Sequence, residues 1–215
     1  MAVSGIQVKI CGIRKEGDAR FVQQCGADFV GMIHFPKSPR HVEIEQIRTM
    51  LPAIQPGKRV AVTVAPDLLL VETLLEAGVD YFQIHLGSST LDQVKTWSSL
   101  VTPSRLWLAP KLPPGSPFPE ELLPYADTML IDTYSADKHG GTGAIGDWRG
   151  FRRLKNTYPA TRFILSGGLK PTNICEAIAS SGADFVDLSS GVESGPGIKD
   201  RKKIKTLFAQ LSGNS

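Results

Sequence analysis

Gly26-Ala27-Asp28-Phe29-Val30 and Gly182-Ala183-Asp184-Phe185-Val186 are the same five residues written twice in a chain of 215, and Gly78-Val79-Asp80-Tyr81-Phe82 is a near copy. The leading glycines lie 52 residues apart from 26 to 78 and 104 apart from 78 to 182, twice the first interval. A weaker copy, Tyr125-Ala126-Asp127, falls near the missing position at 130. Repetition at a fixed spacing marks a recurring structural unit. Each full copy closes a helix-like pattern and opens a short apolar run. Glycine suits the left-handed position just past a helix, and the aromatic and β-branched residues after it favour a strand. Each copy is therefore a helix-to-strand joint, and one period of 52 holds two strand–helix units. Eight units of about 27 residues fill the 215-residue chain, as an eight-stranded barrel requires.

Working outward from the joints, strands are expected near 6–11, 28–34, 58–64, 80–85, 105–109, 127–132, 162–166 and 184–189. Helices are expected near 15–24, 43–51, 67–77, 89–100, 118–124, 147–156, 171–180 and 200–211, the seventh opening on Pro171. Continuously apolar strands such as 29–33 fit a parallel sheet covered on both faces. Four prolines between 112 and 119 make the fifth helical region the weakest. The expected architecture is α/β, a single (β/α)8 TIM barrel over 1–215. An open doubly wound sheet is the alternative, with fewer strands and less regular spacing.

Composition bounds the function. Hydrophobic residues make up 41% and charged residues 21%, which is globular rather than disordered. A net charge of +3 is too small to argue for nucleic acid and suits a small anionic ligand. Cys11, Cys25 and Cys175 are odd in number and far apart, so neither a disulfide framework nor a zinc knuckle is indicated. The first 16 residues are too polar for a signal peptide, and no run is long enough to span a membrane. A cytoplasmic protein with reduced thiols is expected, a monomer or homodimer with no membrane or nucleic-acid partner.

In such barrels the chemistry sits at the C-terminal ends of the strands. Alternation along the first strand turns Lys9 and Cys11 inward and Val8 and Ile10 toward the helices. Cys11 is then either a base whose anion is stabilised by a cation, or a small buried hydrophobe. Lys9 reads best as the partner of Asp187 on the neighbouring eighth strand. Two prolines stiffen Phe35-Pro36-Lys37-Ser38-Pro39-Arg40 and aim Arg40, whose fork suits a carboxylate or phosphate. Asp132 ends an apolar strand at the rim, where an acid needs a partner, a capping role or a task. Gly140-Gly141-Thr142-Gly143 follows it as a loop able to approach a ligand. Gly167 and Gly168 after the seventh strand, with Ser189, Ser190 and Gly191 after the eighth, offer amides and hydroxyls for a phosphate. His85 ends the fourth strand and can line the pocket. The four histidines, His34, His41, His85 and His139, show no paired ligand spacing, so neither metal nor other cofactor is expected.

These loops, in this order, resemble the phosphoribosylanthranilate isomerase family. The resemblance rests on Val8-Lys9-Ile10-Cys11-Gly12, Pro36-Lys37-Ser38-Pro39-Arg40, Leu130-Ile131-Asp132, Gly140-Gly141-Thr142-Gly143, Asp147-Trp148, Ser166-Gly167-Gly168-Leu169 and the run from Asp187 through Ser189-Ser190-Gly191-Val192-Glu193. It implies a small phosphorylated substrate and an Amadori rearrangement, with Cys11 as general base and Asp132 as general acid. It further implies Arg40 at the anthranilate end, and the loops of Gly168 and Ser190 at the phosphate. The chain departs from the family pattern at Thr63-Val64-Ala65-Pro66, at Gln83-Ile84-His85-Leu86-Gly87, around Leu108-Ala109-Pro110-Lys111 and at Gly146. Those departures touch the pocket wall. They keep open a related isomerase for another phosphorylated sugar and a non-catalytic barrel that binds a phosphorylated ligand.

Overall fold

The computed structural model describes residues 5–113, 116–133 and 146–213. Eight parallel strands close on themselves: β1 Gln7–Cys11, β2 Phe29–Ile33, β3 Arg59–Val64, β4 Tyr81–His85, β5 Leu106–Ala109, β6 Thr128–Asp132, β7 Arg162–Ser166 and β8 Phe185–Leu188, with β8 pairing back to β1. Each lies within a residue or so of its expected bounds. The helices are α1 Glu16–Cys25, α2 Ile44–Met50, α3 Leu68–Ala77, α4 Leu91–Val101, α5 Trp148–Thr157, α6 Ile174–Ser181 and α7 Arg201–Ser212.

The repeated pentapeptide does what its residues dictate. Gly26, Gly78 and Gly182 end α1, α3 and α6 in the left-handed conformation, with φ of 113°, 95° and 67°. The aspartate two residues on has a second use that the sequence did not show. Asp28 accepts the amide of Val8 at 2.8 Å, and Asp80 accepts those of Gly57 and Arg59 at 2.9 Å. The carboxylate thus fastens its own strand to the start of the strand before it. Asp184 departs from this, pairing with Lys155 at 2.7 Å.

Three details correct the sequence reading. The fifth connection carries a 3-10 helix, Glu120–Tyr125, because Pro124 removes an amide from its interior. The seventh begins at Ile174 rather than 171; Asn173 accepts the Lys170 amide at 2.8 Å and so forms a turn over residues that Pro171 was expected to start as helix. After β8 the chain makes a 3-10 turn, Ser190–Val192, then an unexpected antiparallel hairpin of β9 Glu193–Gly195 and β10 Ile198–Lys199.

Alternation splits the buried residues into two sets. Val8, Ile10, Val30, Met32, Ile84, Leu108 and their like pack outward under the helices. Phe29, Val60, Val62, Trp107, Leu130, Ile164, Phe185 and Cys11 fill the barrel. Its floor is aromatic: Phe29, Tyr81, Trp107 and Phe185 meet with centroids 4.9–5.5 Å apart, and the Arg162 guanidinium lies 4.5 Å over Phe185. A filled floor leaves the C-terminal mouth as the place for chemistry.

Candidate active site

Lys9 and Cys11 face the interior from β1, as alternation requires. Space for them comes from Gly31, the register partner of Cys11 on β2. A Cβ at 31 would sit 2.9 Å from Lys9 Cε and 3.0 Å from Cys11 Sγ. Lys9 is fully buried and its ammonium binds Asp187 at 2.9 Å, the expected partner. Burial works against the Lys9 charge, but Asp187 and Cys11 more than offset it and hold the amine above the usual lysine range. Burial likewise pushes the Cys11 thiol up; Lys9 and Lys199 pull it down, Asp187 adds to the rise, and the net lies above an ordinary thiol.

Arg40 is no exposed arginine. It arrives on the loop after β2 and forks onto Glu193, with Nε at 2.9 and 3.1 Å and Nη2 at 2.6 Å. The edge expected to meet a ligand is therefore engaged, which leaves Nη1 for one. Glu193 is held from its other side by Lys199 at 2.7 Å. Burial raises the Glu193 carboxyl, yet Arg40 and Lys199 together bring it below the usual glutamate range. Lys199 also donates to the Ser189 carbonyl at 3.3 Å, and the Ser189 hydroxyl donates to the Cys11 carbonyl at 3.1 Å. Cys11, Arg40 and Ser189 meet at Gly12, where a Cβ would lie 2.7 Å from Arg40 Cδ and 3.1 Å from Ser189 Oγ.

The two loops proposed for phosphate touch each other. Gly167 and Gly168 take positive φ of 96° and 65°. Gly191 packs so close to the neighbouring loop that a Cβ there would collide with the Leu169 carbonyl. Ser190 is exposed at the rim beside them. Asp132 ends β6 in register with Ser166 and is exposed at the mouth, three strands round the barrel from Cys11. His85 ends β4; burial, then the Lys9 charge, hold it below the usual histidine range, so it is neutral near pH 7. Gln83 Nε2 lies 3.1 Å from its Nε2, and rotating that amide would let the buried Gln83 Oε1, which has no partner, accept the Nε2 proton instead. Gly141 and Gly143, with the rest of their loop, lie outside the described residues.

Sequence spacing missed one cluster. His34, His41 and Glu43 offer ligand atoms within 4.8 Å of one another. Their hydrogen bonds favour a structural use. Phe35 donates its amide to His41 Nδ1 at 3.0 Å, which puts the proton of a neutral ring on Nε2, facing Glu43 at 3.0 Å. A metal there would have to displace that proton. The cluster instead folds the loop that carries Arg40. Reading the sequence also missed Gly31 and Lys199. A lone glycine inside an apolar strand signals close approach and was available for Gly31; Lys199, on a two-residue strand, gives no signal. Among the described residues no helix is long and apolar enough to cross a membrane.

Comparison with known proteins bears on this geometry. The family model described as N-(5'phosphoribosyl)anthranilate (PRA) isomerase matches residues 8–210. An N-(5'-phosphoribosyl)anthranilate isomerase of Cereibacter sphaeroides is 35% identical over 213 residues, covering 96% of this chain and 98% of the relative. Among solved structures, monomers generated from the dimeric phosphoribosylanthranilate isomerase of Thermotoga maritima are 30% identical with a TM-score of 0.77, over 97% of this chain and 99% of that one. A phosphoribosyl anthranilate isomerase in complex with reduced 1-(o-carboxyphenylamino)-1-deoxyribulose 5-phosphate is 28% identical with a TM-score of 0.75, over the same shares.

Proposed function

Because the chain belongs to the N-(5'-phosphoribosyl)anthranilate isomerase family, we infer that it acts in tryptophan biosynthesis, converting N-(5-phosphoribosyl)anthranilate by an Amadori rearrangement into the open-chain 1-deoxyribulose 5-phosphate aminoketose. The observation that carries the assignment of roles is the placing of Cys11 and Asp132 at the ends of inward-facing strands, with the contacting Gly168 and Gly191 loops beside Cys11.

Asp132, as general acid, delivers a proton to the furanose ring oxygen. The bond from that oxygen to C1′ breaks, and the nitrogen lone pair forms an iminium with C1′. Cys11, as thiolate, removes the proton on C2′, and the electrons of that bond neutralise the iminium to give an enolamine. The enolamine becomes the ketone as the C2′ hydroxyl loses a proton and C1′ gains one. Asp132 has then lost the proton that Cys11 has gained, and exchange with water restores both. Burial, the largest influence, and Asp187 disfavour the thiolate while Lys9 and Lys199 favour it, and the thiol stays above its ordinary range, so the two cations offset only part of what the base needs. The amides and hydroxyls of Gly167, Gly168, Ser189, Ser190 and Gly191 hold the phosphate, and the Nη1 edge of Arg40 meets the anthranilate carboxylate. His85, neutral, lines the mouth between them, and Gly141 and Gly143, which follow Asp132 in the sequence, contribute to substrate binding. Two anchored ends fix the reacting carbons between acid and base. The relative from Thermotoga maritima is dimeric; this chain is taken as a monomer or homodimer of the cytoplasm, where the family's biosynthetic role belongs.

The test is a coupled assay in which anthranilate and phosphoribosyl pyrophosphate, with a purified transferase, form the labile substrate in place, read by the fluorescence change on isomerisation. Turnover is expected, and Cys11→Ser and Asp132→Asn are each expected to lower it by about 10²-fold or more. Losses below tenfold in both variants would overturn the acid–base assignment. A folded protein with no turnover would move the weight to a different phosphorylated sugar, through the altered wall at Ala65, Leu86 and Lys111.

A further inference from the structure

We propose that Lys199 is a positioning residue for this reaction: from the hairpin beneath the rim it grips Glu193 and the Ser189 carbonyl, and through them it seats Arg40 and the phosphate loop around Cys11. The inference rests on the isomerase reading for what is positioned, and on contacts alone for how.

Lys199 and Glu193 are register partners across the two-stranded hairpin, and their side chains are 1% and 3% exposed. A buried ion pair is rarely worth more than an apolar pair of the same size, so stability gives little reason for one here. The hairpin turn is docked rather than loose: a Cβ at Gly197 would lie 3.0 Å from the Pro39 carbonyl and from Arg14 Nη1, so the turn rests against the loop that carries Arg40. Lys199 therefore ties together two parts of the mouth that meet at Gly12. Through Glu193 it fixes the two guanidinium nitrogens of Arg40; through Ser189 it fixes the residue whose hydroxyl binds the Cys11 carbonyl.

The charges around Cys11 assign the rest. Lys9 on β1 is cancelled by Asp187 on β8. His85 on β4 is held neutral by burial. Asp132 on β6 is exposed at the far side of the mouth. Arg40, Glu193 and Lys199 together carry one net positive charge; burial pulls the Lys199 amine below the usual lysine range, and Glu193 offsets part of that. That charge favours the Cys11 thiolate and an anionic substrate alike.

Two substitutions separate this from a merely structural role, one read by the Cys11 titration and both by KM. Lys199→Met removes the net charge, so Cys11 alkylation by iodoacetamide should shift about one pH unit to the alkaline side, about tenfold in rate at fixed pH. Glu193→Gln removes the carboxylate that holds the buried Lys199 amine up and grips Arg40, so both side chains should loosen. Both should raise KM by about tenfold as Arg40 and Ser189 loosen, about 1.4 kcal/mol of binding, and Lys199→Arg should keep most of what Lys199→Met loses in titration and in KM. Alkylation is mapped to Cys11 by mass spectrometry, which separates it from Cys25 and Cys175, and unfolding midpoints verify that each variant is folded. A folded Lys199→Met with unchanged Cys11 titration and KM overturns the proposal. If Lys199→Met does not fold, Glu193→Gln decides, and an unchanged KM overturns it equally. An alkaline shift of Cys11 in Lys199→Met, in a protein that turns over no substrate, would keep the positioning contacts and refute the isomerase reading instead.

Discussion

Gly31 shows how one residue shapes the chemistry without touching a substrate. The space its missing side chain leaves is filled by Lys9 and Cys11, and Lys9 cannot retreat because Asp187 pins it. Gly31→Ala should therefore displace Cys11, lowering kcat by about tenfold or more and costing about 1–3 kcal/mol of stability, as overpacking does. Steady-state kinetics with urea unfolding checks this, and a variant with wild-type kcat would mean that Cys11 needs no such fit. At this scale much of the site was legible. Cys11, Asp132 and the glycines and serines of the last two loops could be placed from alternation and strand ends. The Arg40–Glu193–Lys199 chain could not, because Arg40 is 153 residues from Glu193 and meets it only when β2's loop and the hairpin of β9 and β10 are folded together.

Among the elements, strands were read almost to the residue, since an apolar run bounded by a helix-ending glycine and a loop leaves little freedom. Helix ends were less legible where side chains or prolines compete with the backbone, as at Asn173 and Pro124. The end of α4 is a further case. Unlike α1, α3 and α6 it closes without glycine, and Thr102 takes φ 70° and ψ 150°, a region costly for a β-branched residue. Thr102 is exposed, and its hydroxyl bonds only to Ser104 at 3.1 Å. Thr102→Gly should relieve the strain and, after the added freedom of the unfolded chain, stabilise the protein by about 1 kcal/mol. A urea midpoint that is unchanged or lower would show that the backbone there is unstrained.

For the whole molecule, the charges buried around the mouth tie stability to pH. The folded-state Glu193 carboxyl lies below its ordinary range, because Arg40 and Lys199 outweigh its burial. A lowered carboxyl contributes stability that is full above the unfolded value and is lost as pH falls through the folded one. Unfolding free energy from urea titrations should therefore decline as the pH drops below the ordinary glutamate range, and Glu193→Gln should be less stable at neutral pH with a flatter acid decline. An equal decline in both proteins would assign the acid lability to other carboxylates. The sequence by itself determined the barrel: a period of 52 residues, helix-ending glycines and apolar strands are local properties, and a closed eight-stranded sheet follows from their regular spacing. It also determined the family, because seven short segments carrying reactive residues fall in one order along the chain. Only the tertiary structure decided which charges face each other. Closing the barrel brings β8 beside β1 and the hairpin of β9 and β10 against the loop after β2, contacts between residues up to 178 apart that no local pattern encodes.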